Sequence, residues 1–240
     1  MNENGFFMNR RQLLEILMGG ILPLFFYHNL DAQERKKSEA GPLSDVQTKY
    51  LGTITVLQMA YRNEIQAHLN YFAYAQKAVL ENYPNIAYLF NSFSVSESIH
   101  ARNFERVLSG LGVEGKETPK PEVKVFDTKT NLKKAIEFEL KDINQNYPQF
   151  VERAKPENYE PAVRNLVHSW ETEKQHRDLL QKMEKGTGVF FGLLSKRIEE
   201  TSVIYFVCHG CGSTAIELPK DSCLICKAPA SQSNEIKRTQ

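Results

Sequence analysis

Two copies of a Glu-x-x-His motif constrain this chain more than any other feature of its sequence. Glu97 and His100 form the first copy, and Glu173 and His176 form the second. Both lie in long segments rich in Ala, Leu, Glu, Lys and Gln, which predicts α-helices. Residues three apart share one helix face, so each pair presents both side chains to the same side. A buried carboxylate is costly unless it is paired or metal-bound, so these pairs indicate a cation between the helices.

A lone glutamate precedes each pair at nearly the same interval. Glu64 precedes Glu97, and Glu139 precedes Glu173. The second interval is one residue longer than the first. Two such halves, related by a pseudo-two-fold axis, would surround one cavity with ligands for two metal ions. Carboxylates mixed with imidazoles suit iron or manganese better than copper, and two of the carboxylates are candidates to bridge the ions. The alternative is a metal-free polar network in which these groups satisfy one another.

The pattern of apolar residues predicts four long helices, at about 45–82, 85–109, 131–154 and 159–185. Only Tyr83 and Pro84 separate the first two, which predicts antiparallel neighbours. The connection at 110–121 is rich in glycine and proline and suits a crossover, and Pro148 predicts a kink in the third helix. The sequence thus predicts an all-α four-helix bundle at 46–186, followed by a linker at 187–202 and a small domain at 203–240.

All four cysteines lie close to the C-terminus, as the pairs Cys208 with Cys211 and Cys223 with Cys226. Two C-x-x-C pairs separated by the short segment 212–222 predict a closed tetrahedral site for zinc or iron. So small a domain needs the metal for its stability. The spacing leaves open a structural zinc ribbon and a single iron that changes oxidation state.

The first 45 residues differ from the rest of the chain. Arg10 and Arg11 precede an apolar run at 16–26, which is too short to span a bilayer but fits the hydrophobic part of an export signal. The paired arginines resemble a twin-arginine signal, which exports folded proteins with their cofactors. Residues 1–45 are therefore predicted to direct export or to anchor the protein to a membrane. The alternative is a cytoplasmic protein whose N-terminal helix packs on the bundle or on a second subunit.

The charge of the chain argues against nucleic acid as a partner. Thirty basic and 29 acidic residues give a formal net charge of +1. Such a balance provides no overall attraction to a phosphate backbone.

Two further patterns accompany the metal-ligand motifs. Tyr71 follows the segment Glu64-Ile65-Gln66-Ala67, and Tyr147-Pro148 follows the carboxylates of the third helix. With these patterns the chain resembles the rubrerythrin family over about residues 47–235. That family joins a ferritin-like di-iron bundle to a rubredoxin-like domain. The resemblance implies a di-iron site with the ligands Glu64, Glu97, His100, Glu139, Asp142, Glu173 and His176, and a rubredoxin-type iron held by Cys208, Cys211, Cys223 and Cys226. It also implies that Tyr71 and Tyr147 hydrogen-bond to the ligands.

The resemblance implies an activity as well. The family is associated with reduction of hydrogen peroxide to water, with electrons passing through the four-cysteine iron to the di-iron pair. The electron donor is unidentified, and a homodimer or higher homo-oligomer is expected. The alternatives are a ferroxidase, which oxidises incoming iron with O2 or peroxide, and a non-catalytic electron carrier or redox sensor.

One position departs from the family pattern. Asp142 stands where the family has a glutamate that exchanges with a histidine as a ligand, and its side chain is one methylene shorter. Asp142 is therefore expected to reach its iron poorly or through water, which weakens that exchange. His68 is predicted to be a hydrogen-bonding residue rather than a ligand. His28 and His168 are predicted to be ordinary polar residues.

Overall fold

The structure is a computed structural model, and it describes residues 42–113, 122–184 and 203–238. Six α-helices lie in the first two ranges: α1 (Asp45–Lys49), α2 (Leu51–Leu80), α3 (Pro84–Gly110), α4 (Thr128–Lys141), α5 (Tyr147–Ala154) and α6 (Glu160–Glu184). The export signal predicted at 1–45 lies almost wholly outside the described residues, and the linker predicted at 187–202 lies wholly outside them. No helix in the described ranges combines the length and apolar character needed to cross a membrane.

α2 and α3 form the predicted antiparallel pair, joined by a tight turn. Asn82 adopts a left-handed conformation with φ of 59°, and the N–H of Tyr83 donates to the carbonyl oxygen of Ala78 at 2.8 Å. Pro84 occupies the start of α3, where a missing N–H removes no helical hydrogen bond. The first predicted helix is divided at Tyr50 into α1 and α2, and Ser44 caps α1 through a reciprocal pair of hydrogen bonds with Gln47.

The bundle core consists of two apolar clusters with a polar layer between them. On α2, Leu57 lies in one cluster and Ala75 in the other, and Glu64 lies between them. α3 crosses the same layers in the opposite direction, from Phe90 to Phe104. At alternating steps of three and four, α3 and the residue that follows it carry a continuous buried stripe: Ile86, Phe90, Phe93, Glu97, His100, Phe104, Val107 and Leu111. The predicted bundle is confirmed, with its ionisable groups at mid-length.

The kink predicted at Pro148 begins several residues earlier, as a π-helical turn at Asp142–Asn146. The N–H of Tyr147 donates to the carbonyl oxygen of Asp142, which is five residues back. With the same five-residue spacing, the carbonyl of Ile143 would accept from the N–H of residue 148. Residue 148 is a proline, which has no N–H. That carbonyl accepts instead from Nε1 of Trp170 on α6, at 3.0 Å. A side chain of another helix therefore satisfies the interrupted backbone.

The C-terminal module, residues 203–238, contains a small antiparallel sheet in the order β2-β1-β3. Its strands are β1 (Phe206–Cys208), β2 (Thr214–Ala215) and β3 (Ser233–Glu235), and a 3-10 turn at Ala230–Gln232 precedes β3. Val207 pairs with Thr214 on one side and with Asn234 on the other.

The module packs directly on α3. The hydroxyl of Tyr88 donates to the carbonyl oxygen of Ile236 at 2.7 Å and accepts from the N–H of Tyr205 at 3.1 Å. The rings of Tyr88 and Tyr205 lie 5.0 Å apart, and the Arg238 guanidinium lies 4.5 Å from the centre of the Tyr88 ring. Tyr205, Val207 and Ile236 belong to the same apolar cluster as one end of the bundle. Module and bundle thus share a core.

Candidate metal centres

Two groups of four side chains meet in the middle of the bundle and share two members. Within each group, the candidate ligand atoms all lie within 4.8 Å of one another. The first group is Glu64, Glu97, His100 and Glu173, and the second is Glu97, Glu139, Glu173 and His176. The structure therefore brings six of the seven residues predicted for the bundle site into two overlapping cation sites.

Glu97 and Glu173 are shared because each directs its two oxygens to different histidines. Glu97 Oε2 lies 2.9 Å from Nδ1 of His100, and its Oε1 lies 3.1 Å from Nδ1 of His176. Glu173 Oε1 lies 3.2 Å from Nδ1 of His100, and its Oε2 lies 3.1 Å from Nδ1 of His176. Two carboxylates that each face both halves of a site are placed to bridge two ions.

Several buried atoms of this cluster have no hydrogen bond among the described residues. They are Oε2 of Glu97, Oε2 of Glu139, Oε1 of Glu173 and both ring nitrogens of His100. The 2.9 Å contact between His100 and Glu97 lacks the alignment of a hydrogen bond, although it is short enough for one. Buried polar atoms normally have partners, so lone pairs that converge without pairing fit metal ions. Carboxylates combined with imidazoles fit iron.

The electrostatics of the cluster point the same way. Burial raises the pKa of Glu64 and of Glu139 well above the usual range, and the nearby Glu173 carboxylate raises both further. Burial alone would lower the pKa of His100 and His176, but the surrounding carboxylates outweigh it and raise both well above their usual value. The metal-free cluster thus retains protons, which balance its carboxylates. Metal ions would displace them, because these ligands bind metal in their deprotonated forms.

Two buried tyrosines hold the outer glutamates. The hydroxyl of Tyr71 donates to Oε1 of Glu139, and the hydroxyl of Tyr147 donates to Oε1 of Glu64. Each tyrosine therefore serves the glutamate of the opposite half of the bundle. Burial raises the pKa of both phenols well above the usual value, and neighbouring carboxylates add to it, so both remain hydrogen-bond donors.

The π-helical turn explains an irregularity in the sequence repeat. Tyr71 follows Glu64 by seven residues, whereas Tyr147 follows Glu139 by eight. A π-helical turn absorbs one extra residue, so both tyrosines face the site despite the different spacing.

Asp142 lies beside the cluster but in neither group of candidate ligands. It is the first residue of the π-helical turn, and its Oδ1 accepts a hydrogen bond from Nδ2 of Asn146 at 2.5 Å. Burial raises the pKa of Asp142 to about 7, with the Glu173 carboxylate as the second cause. The expectation that Asp142 reaches its iron poorly or through water stays a prediction.

The four cysteines form a separate cluster of free thiols. Sγ of Cys208 lies 3.7 Å from Sγ of Cys226, and Sγ of Cys211 lies 3.6 Å from Sγ of Cys223. A tetrahedral ion with metal–sulfur bonds of about 2.3 Å requires sulfur separations of about 3.8 Å. The cluster is therefore already shaped for one metal ion.

Each cysteine pair is followed by a residue whose backbone is in the left-handed conformation. Gly212 has φ of 85° and its N–H donates to the carbonyl oxygen of Cys208, while Lys227 has φ of 61° and its N–H donates to that of Cys223. Glycine adopts this conformation without strain. The two turns hold the cysteine pairs face to face.

The module also touches the bundle site, and the sequence did not predict this contact. Gly212 lies so close to His100 that a Cβ on it would be 2.5 Å from the Nε2 atom of that ring. Ser96 Oγ donates to the Gly212 carbonyl oxygen at 2.7 Å, and Thr214 Oγ1 lies 3.2 Å from Nε2 of His176. Serine, glycine and threonine carry no metal-ligand signature, so no pattern in one sequence identifies them.

The two remaining histidines of the described bundle lie outside both candidate ligand groups. The Nδ1 atom of His68 lies 2.8 Å from the carbonyl oxygen of Ser94, so His68 joins α2 to α3. His168 is half-buried on α6, and burial lowers its pKa, with the positive charge of Arg164 as the second cause. His28 lies outside the described residues.

Comparison with known proteins agrees with this geometry. The sequence model of the Rubrerythrin family matches residues 55–184. Rubrerythrin-2 of Clostridium acetobutylicum is 31% identical over 174 residues, which are 72% of this chain and 91% of that protein. Rubrerythrin of Porphyromonas gingivalis is 31% identical over 179 residues, which are 72% of this chain and 84% of that protein.

Solved structures show the same fold. A mixed-valence nigerythrin structure superimposes with a TM-score of 0.64 at 22% identity, and the match covers 77% of this chain and 86% of that one. The bacterioferritin of Desulfovibrio desulfuricans, whose structure is described as showing its di-iron site in different catalytic states, superimposes with a TM-score of 0.57 at 20% identity. That match covers 65% of this chain and 91% of the bacterioferritin. The bundle is therefore ferritin-like.

Proposed function

The chain belongs to the rubrerythrin family, and from that premise we propose that it is a di-iron peroxidase that reduces hydrogen peroxide to water. Each turnover consumes two electrons and two protons per peroxide and releases two water molecules. When bound, two adjacent ferrous ions supply one electron each for cleavage of the O–O bond. The observation that supports this most is the pair of ligand groups that share Glu97 and Glu173.

The other residues of the site hold this arrangement in place. Tyr71 and Tyr147 fix the orientation of the two outer glutamates and leave the shared pair facing both halves. The apolar clusters on either side, which include Phe93 and Phe104, keep bulk water out. A cavity of about 320 Å³ between α2 and α4 is lined in part by Tyr71, whose hydroxyl donates to Glu139. That position supports this cavity as the side from which peroxide approaches the site.

The C-terminal module delivers the electrons. Gly212 follows Cys211 directly in sequence and lies against the ring of His100, so the cysteine cluster and the bundle site are joined by a short path within one chain. An iron held by four thiolates exchanges one electron without changing its ligands. Two such transfers restore the bundle pair after each peroxide.

Stopped-flow oxidation of the fully reduced protein tests the proposal. Hydrogen peroxide should oxidise the bundle iron with a stoichiometry of about one peroxide per iron pair, and the ferric four-thiolate colour should follow. With a chemical reductant the protein should then turn over. A protein that releases ferric iron and prefers O2 is a ferroxidase, and one that is oxidised once without turnover is a sensor or carrier. Either result rejects the peroxidase.

We further propose that residues 1–45 direct export through the twin-arginine pathway or anchor the protein to a membrane. The support is the Arg10-Arg11 pair ahead of the apolar run at 16–26. Fractionation of cells that produce the full chain should place it outside the cytoplasm, and the double change Arg10→Lys and Arg11→Lys should retain it inside. If the wild-type chain remains cytoplasmic, this proposal is wrong. An exported protein cannot take electrons directly from a cytoplasmic nicotinamide-linked reductase.

A further inference from the structure

The ring nitrogen of His176 that faces away from the carboxylates contacts the C-terminal module and not the bundle. The Nδ1 atom of His176 faces the carboxylates of Glu97 and Glu173, each at 3.1 Å. Its Nε2 atom, on the opposite side of the ring, lies 3.2 Å from Oγ1 of Thr214. His176 is fully buried and Thr214 is 3% exposed, so water does not compete for this contact.

The hydrogen of the threonine hydroxyl has a different acceptor. Thr214 Oγ1 donates to the carbonyl oxygen of Gly212 at 3.2 Å, so its lone pairs are directed to the Nε2–H of His176. A histidine that binds metal through Nδ1 carries its hydrogen on Nε2 and needs an acceptor there. The Thr214 hydroxyl is that acceptor, and it favours the ring tautomer that a metal at Nδ1 requires.

Thr214 is held firmly enough to position a ring. Its backbone N–H donates to Oε1 of Gln175 at 3.2 Å, and Ser213 Oγ donates to the same oxygen at 3.0 Å. Gln175 immediately precedes His176 on α6. Pairing of Thr214 with Val207 in the sheet fixes the residue from the other side.

The two histidines of the bundle site differ in this respect. Nε2 of His100 has no hydrogen-bond partner in the part of the chain that the structure describes, and Gly212 packs against it without offering one. The module therefore orients only the histidine of the second ligand group.

We propose that Thr214 is a positioning residue for His176, and that the C-terminal module thereby increases the metal affinity of the bundle as well as delivering electrons to it. This inference rests on the proposed role of His176 as a ligand through Nδ1. Loss of a hydrogen-bond partner behind a metal-bound histidine typically lowers metal affinity about 10–100-fold.

Three variants of the full chain test it. Thr214→Val keeps the shape of the side chain and removes the hydroxyl, and Thr214→Ser keeps the hydroxyl. Asn91→Ala removes a different hydrogen bond between α3 and the module, to the carbonyl oxygen of Lys237, which touches neither Thr214 nor a histidine. Binding of Fe(II) to the bundle is measured without oxygen by competition with a chelator. We expect Thr214→Val to weaken one of the two bundle ions about 10–100-fold, and the other two variants to match the wild type.

A second measurement reports the contact itself. In fully zinc-loaded protein, the Nε2–H of His176 should give a slowly exchanging proton signal by NMR in the wild type and in Thr214→Ser, and that signal should be lost in Thr214→Val. Equal affinity and an unchanged signal in Thr214→Val would overturn the inference, as would equal weakening in Thr214→Ser. A wild-type bundle that binds no metal pair would instead reject the proposed function.

Discussion

At the scale of single residues, the bundle centre concentrates ionisable groups that would destabilise the fold if they were charged and unpaired. Glu97, Glu139 and Glu173 are each at most 3% exposed. Without metal, protonated histidines supply the positive charge that this layer needs, because the carboxylates raise the pKa of His100 and His176. Metal and protons therefore compete for one set of ligands. The fold does not need every carboxylate, but a two-ion site does.

Replacing Glu173 should separate metal binding from folding. We expect Glu173→Ala to reduce the bundle from two ions to one or none, because both oxygens of this side chain face a histidine. Helix content by circular dichroism should be retained, since the change removes one of several mutually repelling carboxylates. Metal analysis after gel filtration measures the loss. Glu171→Ala is the matched control, because Glu171 pairs with Lys174 near the surface. Two ions bound to Glu173→Ala at wild-type affinity would contradict the assignment.

Asp142 supports a second prediction at this scale. Asp142→Glu adds one methylene, which extends the carboxylate by about 1.3 Å. We expect direct ligation in the variant, a larger movement of the nearby iron between redox states, and peroxide turnover at least equal to wild type. A metal–oxygen bond tolerates only about 0.2 Å of error, so in the wild type a water should fill the gap between Asp142 and the iron. Oxidised and reduced crystal structures of both proteins, with peroxide assays, decide this. Direct ligation by Asp142 in both wild-type states would refute it.

At the scale of helices and strands, most boundaries followed from local signals. The Tyr83-Pro84 break and the alternating steps of three and four on α3 were sufficient for the hairpin and its buried face. The π-helical turn was not predictable in this way. Pro148 indicates a break, but the turn at Asp142–Asn146 also depends on a donor from Trp170, which lies on a different helix. A contact between distant helices has no signature in a window of one sequence.

Removing that donor should destabilise the interrupted helix. We expect Trp170→Phe to lower the free energy of unfolding by about 1–3 kcal/mol, because the Ile143 carbonyl loses its partner in a largely buried place. Denaturant titration followed by circular dichroism measures this, since Trp170 is the one tryptophan of the chain. Lys174→Ala, which removes the ammonium 4.4 Å from the Trp170 ring but keeps the indole N–H, should change stability by less than about 0.5 kcal/mol. Equal stability of Trp170→Phe and wild type would argue against this account of the turn.

In the candidate site, too, local sequence patterns were predictable and contacts between distant elements were not. Its glutamates, histidines and cysteines were predictable because each repeats at an interval that helix or turn geometry demands. Ser96, Gly212 and Thr214 were not, because their role arises only where the module meets the bundle. The contacts between the bundle and the C-terminal module are fixed by tertiary packing around Tyr88. The sequence of the linker does not encode that packing.

At the scale of the whole molecule, the bundle and the module form one unit that contains the two-ion site of the bundle and the four-cysteine site of the module. Arg102 and Asn103 on α3 donate to the carbonyl oxygens of His209 and Gly210, so the first cysteine pair is attached to the helix that carries His100. A separable module on a flexible linker would tolerate changes at its surface. A docked module does not, and at Gly212 the contact leaves no room for a Cβ beside the His100 ring.

Gly212→Ala should therefore disconnect the two sites while leaving both intact. The added Cβ would lie 2.5 Å from His100 Nε2 and 3.0 Å from Ser96 Oγ, at a φ of 85°, so the module must shift away from α3. At saturating iron we expect the four-thiolate spectrum and two bundle ions to persist. The return of ferric four-thiolate colour after a peroxide pulse should be slower than in the wild type, because electron transfer between the two sites weakens as the contact between Gly212 and His100 opens.

The control for backbone strain is Gly112→Ala, because Gly112 also has a positive φ, of 70°, but a Cβ there would come no closer than 3.8 Å to another residue. Both variants should lose about 1–3 kcal/mol of stability from the strained backbone. Only Gly212→Ala should slow the electron transfer, because only there does the new atom press on a candidate ligand. If both variants transfer electrons at the wild-type rate, the electrons do not pass through this contact, and the docked arrangement serves stability alone.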